Sequence, residues 1–550
     1  LTAGNDVQVT ALSDTTVNTL SAAGAAGGTT GVGAAGNVHV LNEDTKARIG
    51  RSTVKATDSA AVTAMDDSEV NFLTGAAAGA GTTAVGGALG VSVVNKNVTA
   101  EIASDAAVDA QGQKDGVTAY TGDTKSKSIG EAIKGIFTNE NDKDVDYKKD
   151  KSKDSEGTTA SVQKTKLTDV TTSVTDALAR ETIHGLAVAA GSAHTLRTIG
   201  AAAGGAGTTA VMGTIGVANT TNDVKATIGT GAKINQNEGI AGAAAQEVLV
   251  RAHNENAYRG LSGAVSGSGA NAVSGGAVVN HSKDTTIAEN NGQVIAQKDI
   301  KVLADAIHTT INTGVSAGGA GSVAVAGAFD VNFVDSTVKA GIGDSARADS
   351  QQGKVIVQAD NTNTAVVALA GAAVSGSVGV GTAVTATVEK LDTTAEIGTN
   401  AIVNGKQGVD VLADTGEDLT SVTAGVAGSA GVSASGALGM NVSKIHTTAA
   451  IGQGAHINQD YDPLKADGKA KDAKDTKAAD DSQSVNVKAG TKVKHLSVGA
   501  AAAIGGQVGI GAGVVVDVTN VNTNATIGNQ ATVYAKKDVA VTADATKNVD

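Results

Sequence analysis

Residues 422–442 read VTAGVAGSAGVSASGALGMNV, and their alternation decides the fold class. Even positions carry Val422, Ala424, Val426, Val432, Leu438, Met440 and Val442, while odd positions carry Thr, Gly, Ala, Ser and Asn. A repeat of 180° per residue belongs to a strand, and the Val and Thr content suits a pleated surface. One face is aliphatic. The other is made of residues so small that a second backbone can approach it closely, which is where Gly inside a strand makes sense.

The same small side chains run through the whole sequence. Its 550 residues include 71 Gly, one Pro, five Tyr, four Phe and no Trp, so no core here rests on large rings. Abundant Gly with a single Pro excludes collagen and Pro-rich disorder. Lys and Arg number 42 against 55 Asp and Glu, a net charge of −13, and no basic stripe is free of interleaved acids. Nucleic acid is therefore excluded as a main partner. The absence of Cys excludes disulfides, thiolate metal sites and Cys nucleophiles. No apolar run reaches the ~18 residues of a membrane-spanning helix without Gly, Ser or Thr interrupting it. The chain begins Leu-Thr-Ala-Gly-Asn, without Met or a signal peptide, and reads as a fragment of a longer protein.

Two phrases recur in step. V-x-V-x-A appears at Val7, Val248, Val355, Val409, Val485 and Val539, with variants starting at Ala60, Leu186 and Ile300. A-x-I-G follows at Ala47, Ala226, Ala340, Ala395, Ala449 and Ala525. Their shared period is about 54 residues, and both stretch at the same two places. Strands that recur at a fixed period without intervening helices make a solenoid, in which each winding buries its apolar face by stacking on the next. The expected fold is all-β: a right-handed parallel β-helix with Val and Ile in ladders. Two coils per period would give on the order of 17 coils and a rod of ~80 Å at the inter-strand rise.

The stretched intervals locate two insertions and divide the chain into repeats over 1–111, an insertion over 112–183, repeats over 184–458, an insertion over 459–483 and repeats over 484–550. In the first, Ile129, Ala132, Ile133, Ile136 and Phe137 follow helical spacing behind the capping pattern of Ser128 and Glu131. Leu167, Val170, Val174 and Leu178 suggest a second helix, with a charged, flexible tip over 141–156. A helical hairpin is expected. The second insertion holds Pro463 and alternating Lys and Asp, as a solvated loop would. Recognition tends to sit on such insertions, so Ile129, Ile133, Phe137, Tyr147 and Tyr461 are the candidate contact residues.

Several strings imitate catalytic motifs. Gly31-Val-Gly33-Ala-Ala-Gly36 matches a dinucleotide fingerprint, but another alternating strand follows where a helix is required. Gly314-Val-Ser316-Ala-Gly318 matches a nucleophile elbow, again inside an alternating run. Both read as strand packing. Nine scattered His include no His-x-x-x-His pair, and no zinc site is expected. Asp460-Tyr461-Asp462 opens like a calcium loop before Leu464 breaks the pattern. The Asp-rich insertion is thus a candidate for weak Ca²⁺ binding, with no other cofactor expected.

The V-x-V-x-A strands, the A-x-I-G turns, the Ala/Gly-rich runs such as 76–94 and the lack of Cys together resemble the repeat regions of large bacterial exoproteins. The resemblance is to leukotoxin-like and filamentous haemagglutinin-like proteins exported by two-partner secretion. It implies a secreted or cell-surface shaft, non-enzymatic, that contacts a host cell surface or extracellular matrix and uses an outer-membrane secretion partner. The alternative it implies is a leukotoxin-type cytotoxin acting on host membranes. The period of about 54 departs from the shorter repeats usual in the haemagglutinin type.

Overall fold

A computed structural model describes residues 1–124, 178–236, 242–463, 471 and 476–549. Each period winds once. The first coil runs through β1 (Thr2–Ala3), β2 (Val7–Gly27) and β3 (Thr30–Ile49), and the second through β4 (Thr53–Ala56), β5 (Ala60–Ala80) and β6 (Thr83–Ile102). Later coils repeat this pattern of one short and two long strands. The short strands make one nine-stranded sheet, the first long strands a second nine-stranded sheet, and the other long strands an eight-stranded sheet. We call the last two sheets B and C. Within all three the pairing is parallel and in register, so Val7 meets Ala60 and Ala60 meets Leu186.

The expectation of two coils per period is therefore corrected to one. Nothing interrupts the alternation within a run of 20 to 22 residues, so the chain turns only where Gly-Gly-Thr or a like tripeptide ends it. A 22-residue strand extends ~70 Å, whereas nine stacked strands span only ~38 Å along the winding axis. The scaffold is a broad stack of long strands and not the slender rod of ~80 Å.

Three sides meet only at one end of each coil. There the V-x-V-x-A start of sheet B, the A-x-I end of sheet C and the short strands enclose a continuous aliphatic core that includes Val62, Ile102, Val108, Leu186, Ile300 and Ile397. The turn leaving this corner places Asp105, Ser345, Asn400 and Gln530 at φ between 56° and 60°. Asn and Asp tolerate that left-handed geometry better than other non-Gly types, and Gly231 and Gly454 take the same place in two coils. Beyond the corner, sheets B and C lie face to face as a two-layer sandwich.

The helical hairpin expected over 112–183 is also corrected. Val117–Thr124 (β8) and Leu178–Ile183 (β9) form an antiparallel pair, so Leu178 lies in a strand, and no described residue is helical. The cause is an apolar patch on the outer face of sheet B. Ala61, Ala187 and Leu249 stack there, and the alternate residues Val117, Ala119 and Ile183 cover them. Residues 125–177, with Ile129, Ile133, Phe137 and Tyr147, lie outside the described residues.

Candidate functional site

In the sandwich the polarity of the two faces is the reverse of an ordinary core. Thr423, Ala427 and Ser433 point inward and are buried, while Val422, Val426, Val432, Leu438 and Met440 on the same strands point outward and are exposed. The inner face is small because the sheets come close. A Cβ at Gly33 would lie 2.5 Å from the carbonyl oxygen of Ala77 on β5 of the facing sheet, and one at Gly381 would collide with that of Val426. This settles the two imitation motifs. Gly31 and Gly33 are packing positions within β3, and Ser316 is fully buried in β16 (Ile300–Ala320).

Between the aliphatic corner and the small-residue tip, buried polar and charged groups lie among apolar clusters such as Val334, Leu391, Ile445 and Val493. On β5 and β6, Lys96 is ion-paired with Asp66, lies 3.8 Å from Glu43, and donates a hydrogen bond to Ser68 Oγ at 2.8 Å. Ser68 Oγ is in turn 2.8 Å from Nδ1 of His194 on β10 (Gly185–Ala206). Burial, with help from Lys96, drives the His194 imidazole well below its ordinary pKa. A hydroxyl in line with an ammonium and an imidazole is the geometry of an activated nucleophile. Here the Lys96 and Asp66 side chains are wholly shielded from solvent, and an ion-paired ammonium is not a free base.

A second chain of titratable groups crosses the later coils. Glu389 on β20 (Val378–Ile397) is pushed well above its ordinary pKa by burial and by neighbouring Glu417. Burial also acts to raise Glu417, on β22 (Gly408–Ser429), but hydrogen bonds from Glu389, His495 and Ser443 outweigh it and hold the carboxyl low. His495, on β25 (Ser484–Gly505), lies 3.1 Å from Glu417 and 3.0 Å from Asp517, and these carboxylates raise its pKa against the effect of burial. Among the described residues, no three His or acidic side chains converge to hold a metal ion.

Sequence reasoning missed both clusters, although parity could have found them. Lys96 shares its register with Val98, Ala100 and Ile102, and Asp66 shares its register with Val62 and Ala64, so alternation alone points these charges inward. What a single chain does not reveal is which coils bring them together.

The outer faces carry the other unusual feature. On sheet C a row of Val32, Val85, Val211, Val273, Val325 and Val380 runs across the coils, and parallel aliphatic rows flank it. The band ends at a polar row containing Asn42, Asn95, Lys283, Asp335, Lys390 and Lys444. On both sides of the tip it is uncharged: residues 361–388 and 419–443 contain no Asp, Glu, Lys or Arg.

Of the expected contact residues, only Tyr461 lies among those described. It is 3% exposed and its hydroxyl, pushed up to about 12 chiefly by burial, points toward the Ser350 carbonyl 3.5 Å away. Lys477 closes the loop's base through Asp460 at 2.9 Å. Tyr461 is thus buried at the base of the second insertion. No family model, curated protein or solved structure matches the chain.

Proposed function

We propose that this chain is a non-enzymatic scaffold, part of the shaft of a secreted or cell-surface bacterial adhesin or virulence exoprotein exported through an outer-membrane partner. The single observation that carries the reading is the in-register ladder running unbroken from coil to coil, with the hydroxyl, ammonium and imidazole groups sealed inside it. A surface built this way presents repeated strands in register from coil to coil. Contact with a host surface or matrix falls to the first insertion, which leaves sheet B through the β8–β9 pair and returns at the same place.

The test compares adhesion to host cells and matrix by the whole chain and by a chain in which a four-residue turn replaces residues 125–177. Loss of adhesion supports the reading, and equal adhesion removes the insertion as the contact. The second reading, a leukotoxin-type cytotoxin acting on host membranes, draws on the exposed aliphatic band. Leakage of lipid vesicles by the chain would favour it.

A further inference from the structure

The outward positions of sheet C follow a profile of ridges and grooves. Counting along each strand from its start, the third residue is Val in most coils, the fifth is Gly at Gly87, Gly213, Gly275, Gly327 and Gly436, and the seventh is large at Leu89, Ile215, Phe329 and Leu438. The ninth is again aliphatic, and the thirteenth begins the polar row. Stacking turns each position into a ladder, so a groove floored by Gly runs beside a ridge of Leu, Ile and Phe. The ridge side chains are exposed, Ile215 by 48% and Phe329 by 47%. The groove accepts an aromatic ring, because Phe329 lies across its own Gly327, a ring carbon 3.1 Å from where a Cβ would stand.

We propose that this face is the interface between two copies of the chain. The copies sit face to face about a twofold axis parallel to the winding axis. That axis reverses the strand direction and leaves each coil opposite its counterpart. The fifth position of one copy then faces the seventh of the other, placing Leu89, Ile215 and Leu438 over Gly87, Gly213 and Gly436, with Thr382 facing Val384 between them, and the third faces the ninth. The first faces the eleventh, and here polarity matches in six of the eight strands, the exceptions being Thr30 against Val40 and Thr83 against Val93. Thr209 meets Asn219 and Asn271 meets His281, whereas Val323 meets Phe333, Val378 meets Val388, and Val432 meets Val442. A twofold axis along the strands would instead set Gly on Gly and ridge on ridge.

Size favours this occupant. Eleven residues by eight strands cover on the order of 1,100 Å², above the ~800 Å² per partner of a standard interface and beyond the largest patch of a typical monomer.

Sedimentation velocity at micromolar concentration tests the proposal, with circular dichroism to verify folding. A Cβ at Gly213 or Gly275 meets nothing closer than 3.8 Å, so Gly213→Leu with Gly275→Leu fills the groove without disturbing the isolated chain. The unaltered chain is expected to sediment as a dimer, and the double variant as a monomer with affinity weakened about 100-fold or more. Val265→Lys, on the outer face of sheet B, is expected to leave the dimer intact. A monomeric unaltered chain, a dimer that survives groove filling, or one that Val265→Lys dissolves would each overturn the proposal. A monomer that co-sediments with phosphatidylcholine vesicles would assign the band to lipid instead.

Discussion

Asn312 on β16 donates a hydrogen bond from Nδ2 to Oδ1 of Asp330, on β17 (Val323–Ile342), across the interior at 2.7 Å. Both residues are fully buried, and burial raises the Asp330 carboxyl to about 7. The folded chain therefore holds a proton at Asp330 that the unfolded chain releases near pH 4. Between about pH 4 and 7 the native state binds more protons, so unfolding free energy falls as pH rises through that window. The contribution is fully present below about pH 4 and lost above 7, on the order of 4 kcal/mol for three pKa units. Asp330→Asn should flatten this slope, read from urea denaturation at a series of pH values.

The reversed polarity of the sandwich separates two Val residues on one strand. Val411 is buried in the aliphatic corner, whereas Val426 is 46% exposed on β22. Val411→Ala should cost about 2–3 kcal/mol in lost burial and cavity formation. Val426→Ala should change stability by no more than ~0.5 kcal/mol. Denaturant midpoints of the two variants check the contrast.

Close approach of the two sheets makes a similar distinction between glycines. A Cβ at Gly381 collides with the Val426 carbonyl oxygen, while one at Gly267 meets nothing within 4 Å. Gly381→Ala is expected to cost about 2–3 kcal/mol by forcing the sheets apart. Gly267→Ala should be neutral within ~0.5 kcal/mol. Thermal melting distinguishes them.

The β8–β9 base of the first insertion covers Ala61, Ala187 and Leu249. Replacing only 125–177 by a short turn should leave the melting temperature nearly unchanged. Adding Ala119→Asp to that shortened chain should destabilise it by about 1–3 kcal/mol, because a carboxylate then enters the apolar contact. Melting curves of both forms provide the comparison.

The period, the parallel stacking and the closeness of the small-residue faces were all legible in the sequence, because each depends on alternation and on side-chain size. The number of coils per period was not. Nothing in residues 408–429 marks whether a 22-residue alternating run bends midway or continues straight, and here it continues. The direction of the faces was hidden for a related reason. Val422 and Val426 look like core residues, and only the approach of Gly425 to Gly436 on the facing sheet shows that there is no room for them inside. The hairpin base was misread because Leu178 fits a helical spacing with Val174 as well as a strand alternation with Arg180 and Thr182. Burial against sheet B decides for the strand.

Spin labelling tests most directly whether one period is one coil. Val265 and Ala317 are register partners on adjacent strands of the outer face of sheet B, in a chain with no native Cys. Nitroxides on Val265→Cys and Ala317→Cys should sit one strand apart, at ~4.8 Å between backbones, and give strong spin exchange. A spectrum without exchange, as two strands' separation of ~9.6 Å would produce, would contradict the single-coil winding on which the scaffold, its reversed faces and the proposed interface all depend.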